Sequence, residues 1–150
     1  EDYTEGMERL LRKWETMKSH VPAPVRKNAK KRTPDGVIYF GSTEPAMDEA
    51  LAALEKRGVG LDALRVRAFP FSDDVFAFIR EHEQVFVVEQ NRDAQLKTLL
   101  VSEGGVHAAR LVSVLHYDGT PITARFIVKA VSDKLRAGQA ASAPEKVNRY

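Results

Sequence analysis

The residues best equipped for chemistry fall into short polar clusters. Glu89, Asn91 and Asp93 alternate over five positions, a spacing that could gather two carboxylates and an amide for a metal or for acid–base work. The same three side chains have a simpler use, with Asp93 as a helix cap and Asn91 bonding into the turn between strand and helix. Ser42, Thr43 and Ser72 set hydroxyls where helices begin, so a phosphate or coenzyme A group could rest on free helix amides there. Those hydroxyls are also good N-caps. Tyr117-Asp118-Gly119 has the composition of a tight turn, with His116 and Thr120 on either side.

Several sites are missing their signatures. No Gly-Lys-Ser/Thr follows Gly41, and no Gly-x-Gly-x-x-Gly follows a strand. The four histidines, His20, His82, His107 and His116, are scattered with no metal-ligand spacing among them. There is no Gly-x-Ser-x-Gly elbow to expose a nucleophile. A receiver domain would need an Asp pair after the first strand and a phosphoacceptor Asp after the third. Those places hold Gly41-Ser42-Thr43 and Glu89-Gln90-Asn91. The cysteine count of zero removes disulfides, thiolate catalysis and iron–sulfur ligation together. Any electron carrier must then be bound by another domain or subunit, and a reducing cytoplasm is the default compartment.

These clusters need a frame. The 150 residues are 43% hydrophobic and 29% charged, which suits one soluble globular domain. No apolar run approaches the roughly 20 residues that span a bilayer, and no secretory signal opens the chain. It starts Glu1-Asp2-Tyr3 without Met, as a fragment of a longer polypeptide would. The net charge is +2, and Arg26, Lys27, Lys30, Lys31 and Arg32 cluster between Pro22, Pro24 and Pro34. With no aromatics interleaved, that cluster reads as a solvated linker rather than a nucleic-acid surface.

Tyr3, Met7, Leu10, Leu11, Trp14 and Met17 recur at three- and four-residue spacings, predicting an amphipathic helix over about 4–19. From Gly36 the pattern becomes strand-then-helix. Expected strands are Val37–Phe40, Leu64–Phe69, Val85–Val88 and Leu111–Leu115. The helices between them turn Met47, Ala50, Leu51 and Leu54, then Val75, Phe78 and Ile79, then Leu96, Leu99 and Leu100 toward the core. Thr120-Pro121 is expected to open a last helix, with Phe126, Ile127, Val131 and Leu135 inward. Residues 137–150 offer little to bury and read as a disordered tail. The expectation is a three-layer α/β/α sandwich on a mainly parallel sheet, divided as connector helix and basic linker 1–35, α/β domain 36–136 and tail 137–150. Ligands of such sheets bind at the carboxyl ends of the strands, which is where the polar clusters fall.

Four ordered segments carry a resemblance. They are Tyr39-Phe40-Gly41-Ser42-Thr43-Glu44-Pro45-Ala46-Met47-Asp48-Glu49-Ala50, Leu64-Arg65-Val66-Arg67-Ala68-Phe69-Pro70-Phe71, Val87-Val88-Glu89-Gln90-Asn91-Arg92-Asp93-Ala94-Gln95-Leu96, and His116-Tyr117-Asp118-Gly119-Thr120-Pro121-Ile122-Thr123-Ala124-Arg125-Phe126. Together they resemble the C-terminal domain of the α subunit of bacterial 2-oxoacid:ferredoxin oxidoreductases, closest in wording to the 2-oxoglutarate branch. Glu5–Leu10 and Lys13-Trp14-Glu15 resemble the connector helix before that domain.

The resemblance implies a transketolase C-terminal-like fold of about five strands, one of them an antiparallel edge strand that the four expected strands do not include. It implies a parent enzyme that turns a 2-oxoacid and coenzyme A into acyl-CoA, carbon dioxide and reduced ferredoxin. Thiamine diphosphate, magnesium and an iron–sulfur cluster would be held by upstream α-subunit domains and the β subunit. On that reading this domain is non-catalytic and binds no cofactor itself. Glu89, Asn91, Asp93, Tyr117, Asp118, Thr120 and Arg125 are its candidate domain or subunit contacts. The alternative is a ligand-binding module with coenzyme A or phosphate at Ser42, Thr43 and Ser72. A third reading makes the Tyr3–Met17 helix the partner face of an interaction module.

Overall fold

The protein is described by a computed structural model over residues 2–142. Helix α1 spans Tyr3–Met17, followed by strand β1 at Val25–Lys27 and β2 at Asp35–Phe40. A 3-10 turn at Gly41–Thr43 leads into α2, Glu44–Lys56. The chain continues through β3 (Asp62–Val66), α3 (Asp73–Glu81), β4 (Gln84–Glu89), α4 (Gln95–Gly104), β5 (Leu111–Leu115) and α5 (Ala124–Ser142). The sheet order is β1-β3-β2-β4-β5. β1 runs antiparallel to β3, and the remaining pairs are parallel.

Side-chain alternation along the strands builds two cores. Val37 and Tyr39 of β2 with Phe86 and Val88 of β4 face Met47, Ala50 and Leu54 of α2 and Ile127 and Val131 of α5. Ile38, Val85 and Val87 face the other way, onto Val75, Phe78 and Ile79 of α3 and Leu96 and Leu100 of α4. This is the expected three-layer sandwich with its mainly parallel sheet. Each fully buried large side chain contributes about 1.5–3 kcal/mol. Two-sided burial is why the β2 and β4 runs are apolar throughout.

The antiparallel edge strand lies inside the segment read as a solvated linker. Val25, Arg26 and Lys27 pair with Arg65, Leu64 and Ala63. Their charges are partnered rather than free. Arg26 reaches Glu81 at 2.7 Å and lies over the Phe78 ring at 5.3 Å. Lys27 meets Asp48 at 2.5 Å and Lys30 meets Glu55 at 2.9 Å. A strand of three residues, two of them cationic, carries no periodicity to read. Only the acids that α2, α3 and β3 bring alongside reveal it.

Other expectations shift locally. Leu99, expected inward, is more than a third exposed. α5 begins at Ala124 because the Thr123 hydroxyl accepts the Phe126 amide at 3.2 Å, so Thr120 does not open it. α5 also continues to Ser142 through the first part of the expected tail, and residues 143–150 lie outside the described residues. α1 forms as expected, yet it buries none of its residues.

Tyr39 is wholly buried in β2, and its hydroxyl has no hydrogen-bond partner among the described residues. An unsatisfied buried hydroxyl costs about 1–3 kcal/mol. Tyr39→Phe is therefore expected to raise unfolding free energy by about 1 kcal/mol in urea denaturation. A loss of stability would show that the hydroxyl has a partner. Burial also pushes the phenol above its ordinary value of 10.0. That contribution to stability is complete below the ordinary value and is lost as pH rises through the raised one. The Phe variant should lack this alkaline component.

Candidate functional site

The carboxyl ends of β2 to β5 and the amino ends of α2 to α5 meet at one edge of the sheet. β2 passes its chain to α2 on one face, whereas β4 passes to α4 on the other. Adjacent strands whose connections diverge make a switch-point crevice, where α/β proteins usually hold ligands. Here the protein's own side chains tie the β2, β4 and β5 loops together, while a notch of about 370 Å³ stays open between the ends of β2 and β3 and the start of α4.

Glu89, the last residue of β4, turns inward and is completely buried. Its carboxylate accepts the Leu96 amide at 2.6 Å, the Lys97 amide at 3.1 Å and the Asn91 side-chain amide at 2.9 Å. The unpaired amides of the first turn of α4 are thus served by a side chain on the preceding strand. Asn91 Oδ1 accepts the Asp93 and Gln95 amides at 3.1 and 3.2 Å, which closes the turn. Ala94, in the left-handed region at φ 50°, stands at the N-cap position. Asp93 does not cap the helix, since it faces solvent and pairs with Arg92 at 2.7 Å. The cap lies at Glu89 because the turn brings that carboxylate beneath the helix axis.

Gln90 binds the other side of the crevice. Its Nε2 donates to Ser42 Oγ and Thr43 Oγ1, both at 3.2 Å, and its Oε1 lies 3.5 Å from the Ile122 amide. Three strand-end loops are joined by one side chain. Neither Ser42 nor Thr43 caps α2, whose N-terminus has no side-chain hydrogen bond. The 3-10 turn takes both hydroxyls toward Gln90 instead. The role of Gln90 was missed from sequence, and its only signal is a polar residue directly after a buried strand. Ser72 holds the N-cap position of α3 without capping it, and its Oγ is buried with no partner among the described residues. Asp73 and Asp74 supply the negative charge at that helix start.

The third cluster is a self-contained turn. His116 is buried against the Phe126 ring, with centroids 4.7 Å apart, and its Nε2 lies 2.9 Å from the Thr120 carbonyl. Asp118 Oδ1 accepts the Thr120 hydroxyl at 2.7 Å and the Thr120 amide at 2.9 Å. Gly119 has φ 88°, a conformation a side chain would strain. The Thr120 hydroxyl, then its amide, holds the Asp118 carboxyl below its ordinary value of 3.8. The associated stability is present above that value and is lost as pH falls through the lowered one. Thr120→Val is expected to move the Asp118 titration, followed by NMR, back up toward 3.8. An unmoved midpoint would assign the shift to another group.

Tyr117 and Arg125 stand exposed on this rim, and Arg125 forms no ion pair among the described residues. The structure therefore divides the candidate residues. Glu89 and Asn91 hold the loops from within, while Asp93, Tyr117, Asp118, Thr120 and Arg125 form the outer surface. Among the described residues, no group of three or more His, Asp or Glu is placed to hold a metal ion. Glu89, Asn91 and Gln90 are engaged with the neighbouring loops, Ser72 Oγ stays buried at this edge without a partner among the described residues, and the sequence has no cysteine for a cluster. Thiamine diphosphate and an iron–sulfur cluster do not fit these residues. No helix among the described residues is long and apolar enough to cross a membrane.

This sheet order, with one antiparallel edge and helices on both faces, makes a three-layer α/β domain whose fold resembles that of transketolase. A split-gene transketolase, solved as an inactive β4 tetramer, superposes at a TM-score of 0.57 and 20% identity, covering 75% of this chain and 41% of that one. A 2-oxoglutarate:ferredoxin oxidoreductase from Magnetococcus marinus, solved with 2-oxoglutarate, coenzyme A and succinyl-CoA bound, superposes more closely. Its TM-score is 0.74 at 21% identity, covering 89% of this chain. At these identities the likeness is one of fold. This chain spans about a quarter of the oxidoreductase chain, 24%. No protein-family model matches the sequence, and no curated protein does.

Proposed function

We propose that this chain is the C-terminal domain of the α subunit of a 2-oxoacid:ferredoxin oxidoreductase of the 2-oxoglutarate branch, and that it serves assembly rather than chemistry. One observation carries the reading. The four segments that resemble the family fall on the β2–α2, β3–α3, β4–α4 and β5–α5 junctions, so all four converge on one edge. The fold supports it through the superposition over 89% of the chain.

In the parent enzyme, 2-oxoglutarate, coenzyme A and oxidised ferredoxin become succinyl-CoA, carbon dioxide and reduced ferredoxin in the cytoplasm. Thiamine diphosphate, magnesium and the iron–sulfur cluster belong to the upstream α-subunit domains and the β subunit. This domain braces those neighbours through its outer rim. Tyr117 offers an aromatic anchor and Arg125 a guanidinium with no ion pair among the described residues, the residue types enriched where protein surfaces meet.

The purified chain, given 2-oxoglutarate, coenzyme A, thiamine diphosphate, magnesium and a dye acceptor, is expected to give no turnover. Thiamine-dependent dye reduction by this chain alone would refute the assembly role. Calorimetry with millimolar coenzyme A should give no heat, since Gln90 already engages the Ser42 and Thr43 hydroxyls. The residues encoded upstream of Glu1 test the parentage, which predicts a thiamine-pyrimidine domain there. A different enzyme upstream overturns it.

A further inference from the structure

α2 and α5 lie side by side on one face of the sheet, and both run back from the strand ends. A groove of about 490 Å³ opens between them. One wall is Glu49 and Ala53 of α2 with Arg57, its C-cap, each four positions from the last. The other is Ala124, Val128, Ser132 and Arg136 of α5, at the same spacing. Residues four apart share one helix face, so each wall is a straight ridge. The side chains between the ends are small, which lets another helix come close.

The rim of this groove is cationic. Arg125 stands at the amino end of α5, Lys129 a turn further on and Arg136 toward its carboxyl end, with Arg57 across from them and Glu49 as the acid among the lining residues. Elsewhere along α2, charges are matched within the chain: Glu44 pairs with Arg65, Asp48 with Lys27 and Glu55 with Lys30. In the groove, Lys129 and Arg136 share the single carboxylate of Asp133. Arg57 and Arg125 have no ion pair among the described residues, and all four cations are exposed. The surplus positive charge calls for an anionic occupant from outside. One small anion cannot meet it, because Arg125 and Arg136 are three turns of α5 apart, about 16 Å. Nucleic acid fits poorly, since no aromatic side chain lines the groove for a base to stack on and Ala53, Ala124 and Val128 make its floor apolar. An elongated partner with carboxylates beside an apolar strip matches both the charge and the floor.

We propose that the groove between α2 and α5 is a docking site for an acidic amphipathic helix of a partner protein. The apolar strip of that helix lies on Ala53, Ala124 and Val128, and its carboxylates meet Arg57, Arg125, Lys129 and Arg136. Of these residues Arg125 alone also belongs to the strand-end rim, and the inference does not depend on the parentage proposed above.

The probe is a fluorescently labelled helical peptide of about 16 residues, long enough to span the groove, with leucine along one face and glutamate on its flanks. Anisotropy is expected to show saturable binding by about 100 μM of the full chain at low salt. Arg57→Glu combined with Arg125→Glu should weaken that binding by about tenfold or more. Both side chains are exposed, so the double variant should melt at the temperature of the parent. A peptide of the same composition, with its leucines scattered round the helix, should bind the parent at least about fivefold more weakly. The proposal is overturned if the acidic peptide does not bind, or if the double variant or the scattered peptide binds equally well. A single-stranded DNA oligonucleotide that binds as tightly as the peptide also overturns it, since the face would then be a general polyanion surface. Weakening in both comparisons, with the oligonucleotide weaker still, supports it.

Discussion

Glu89→Ala is expected to lower the unfolding free energy by about 3 kcal/mol and the melting temperature by about 6–12 °C. The carboxylate is fully buried and accepts three hydrogen bonds, two of them from the first turn of α4. Truncation removes charge-assisted bonds worth about 1.5–3 kcal/mol each, partly offset by water reaching the helix end. It also leaves the Leu96 and Lys97 amides without partners. Glu89→Gln keeps the shape but turns a donor toward a group that also donates, so it should cost about 2 kcal/mol. Urea denaturation reads both values, and hydrogen exchange should place the damage at Leu96 and Lys97. A variant as stable as the parent would mean that α4 is capped by other means, and the structural account of Glu89 would fall.

Asp62→Ala comes second, at about 2 kcal/mol, and its signature is local. Asp62 opens β3 and accepts the Ala29 amide at 2.8 Å. Its Oδ2 lies 3.1 Å from His82 Nε2 and 3.5 Å from Arg26. It ties the edge strand, the connector after it and the end of α3 to one point. His82 is itself buried, with Nδ1 2.7 Å from the Phe78 carbonyl. Without Asp62, Arg26 keeps Glu81, but the connector loses its anchor. Faster amide exchange in 25–29, with β4 still protected, is the expected result. Uniform protection across the sheet would show that β1 is held by its ladder with β3 alone.

The two residues were legible to different degrees. Glu89 stood out as a carboxylate at the end of a buried strand, but its spacing with Asn91 and Asp93 pointed to chemistry or to a cap at Asp93. Which carboxylate reaches the helix amides depends on how the 90–94 turn folds back, and a left-handed Ala94 is not written in residue types. Asp62 gave no signal, because its three partners lie 20 or more residues away in sequence.

Period and composition were enough for β2 to β5, for the helices between them and for the absence of cysteine chemistry. Alternation and two-sided apolar runs reflect burial, and burial is a property each strand carries locally. Sequence alone also identified the amphipathic stripe of α1 from Tyr3 to Met17. The tertiary structure alone decided that this stripe stays exposed where Trp14 meets Phe69. It alone turned the cationic segment into an edge strand, and let Gln90 and Glu89 tie together the loops at the strand ends, where ligands of such sheets bind. Those outcomes depend on which distant groups share an edge of the sheet, and side-chain pattern along one segment carries no record of its neighbours in space.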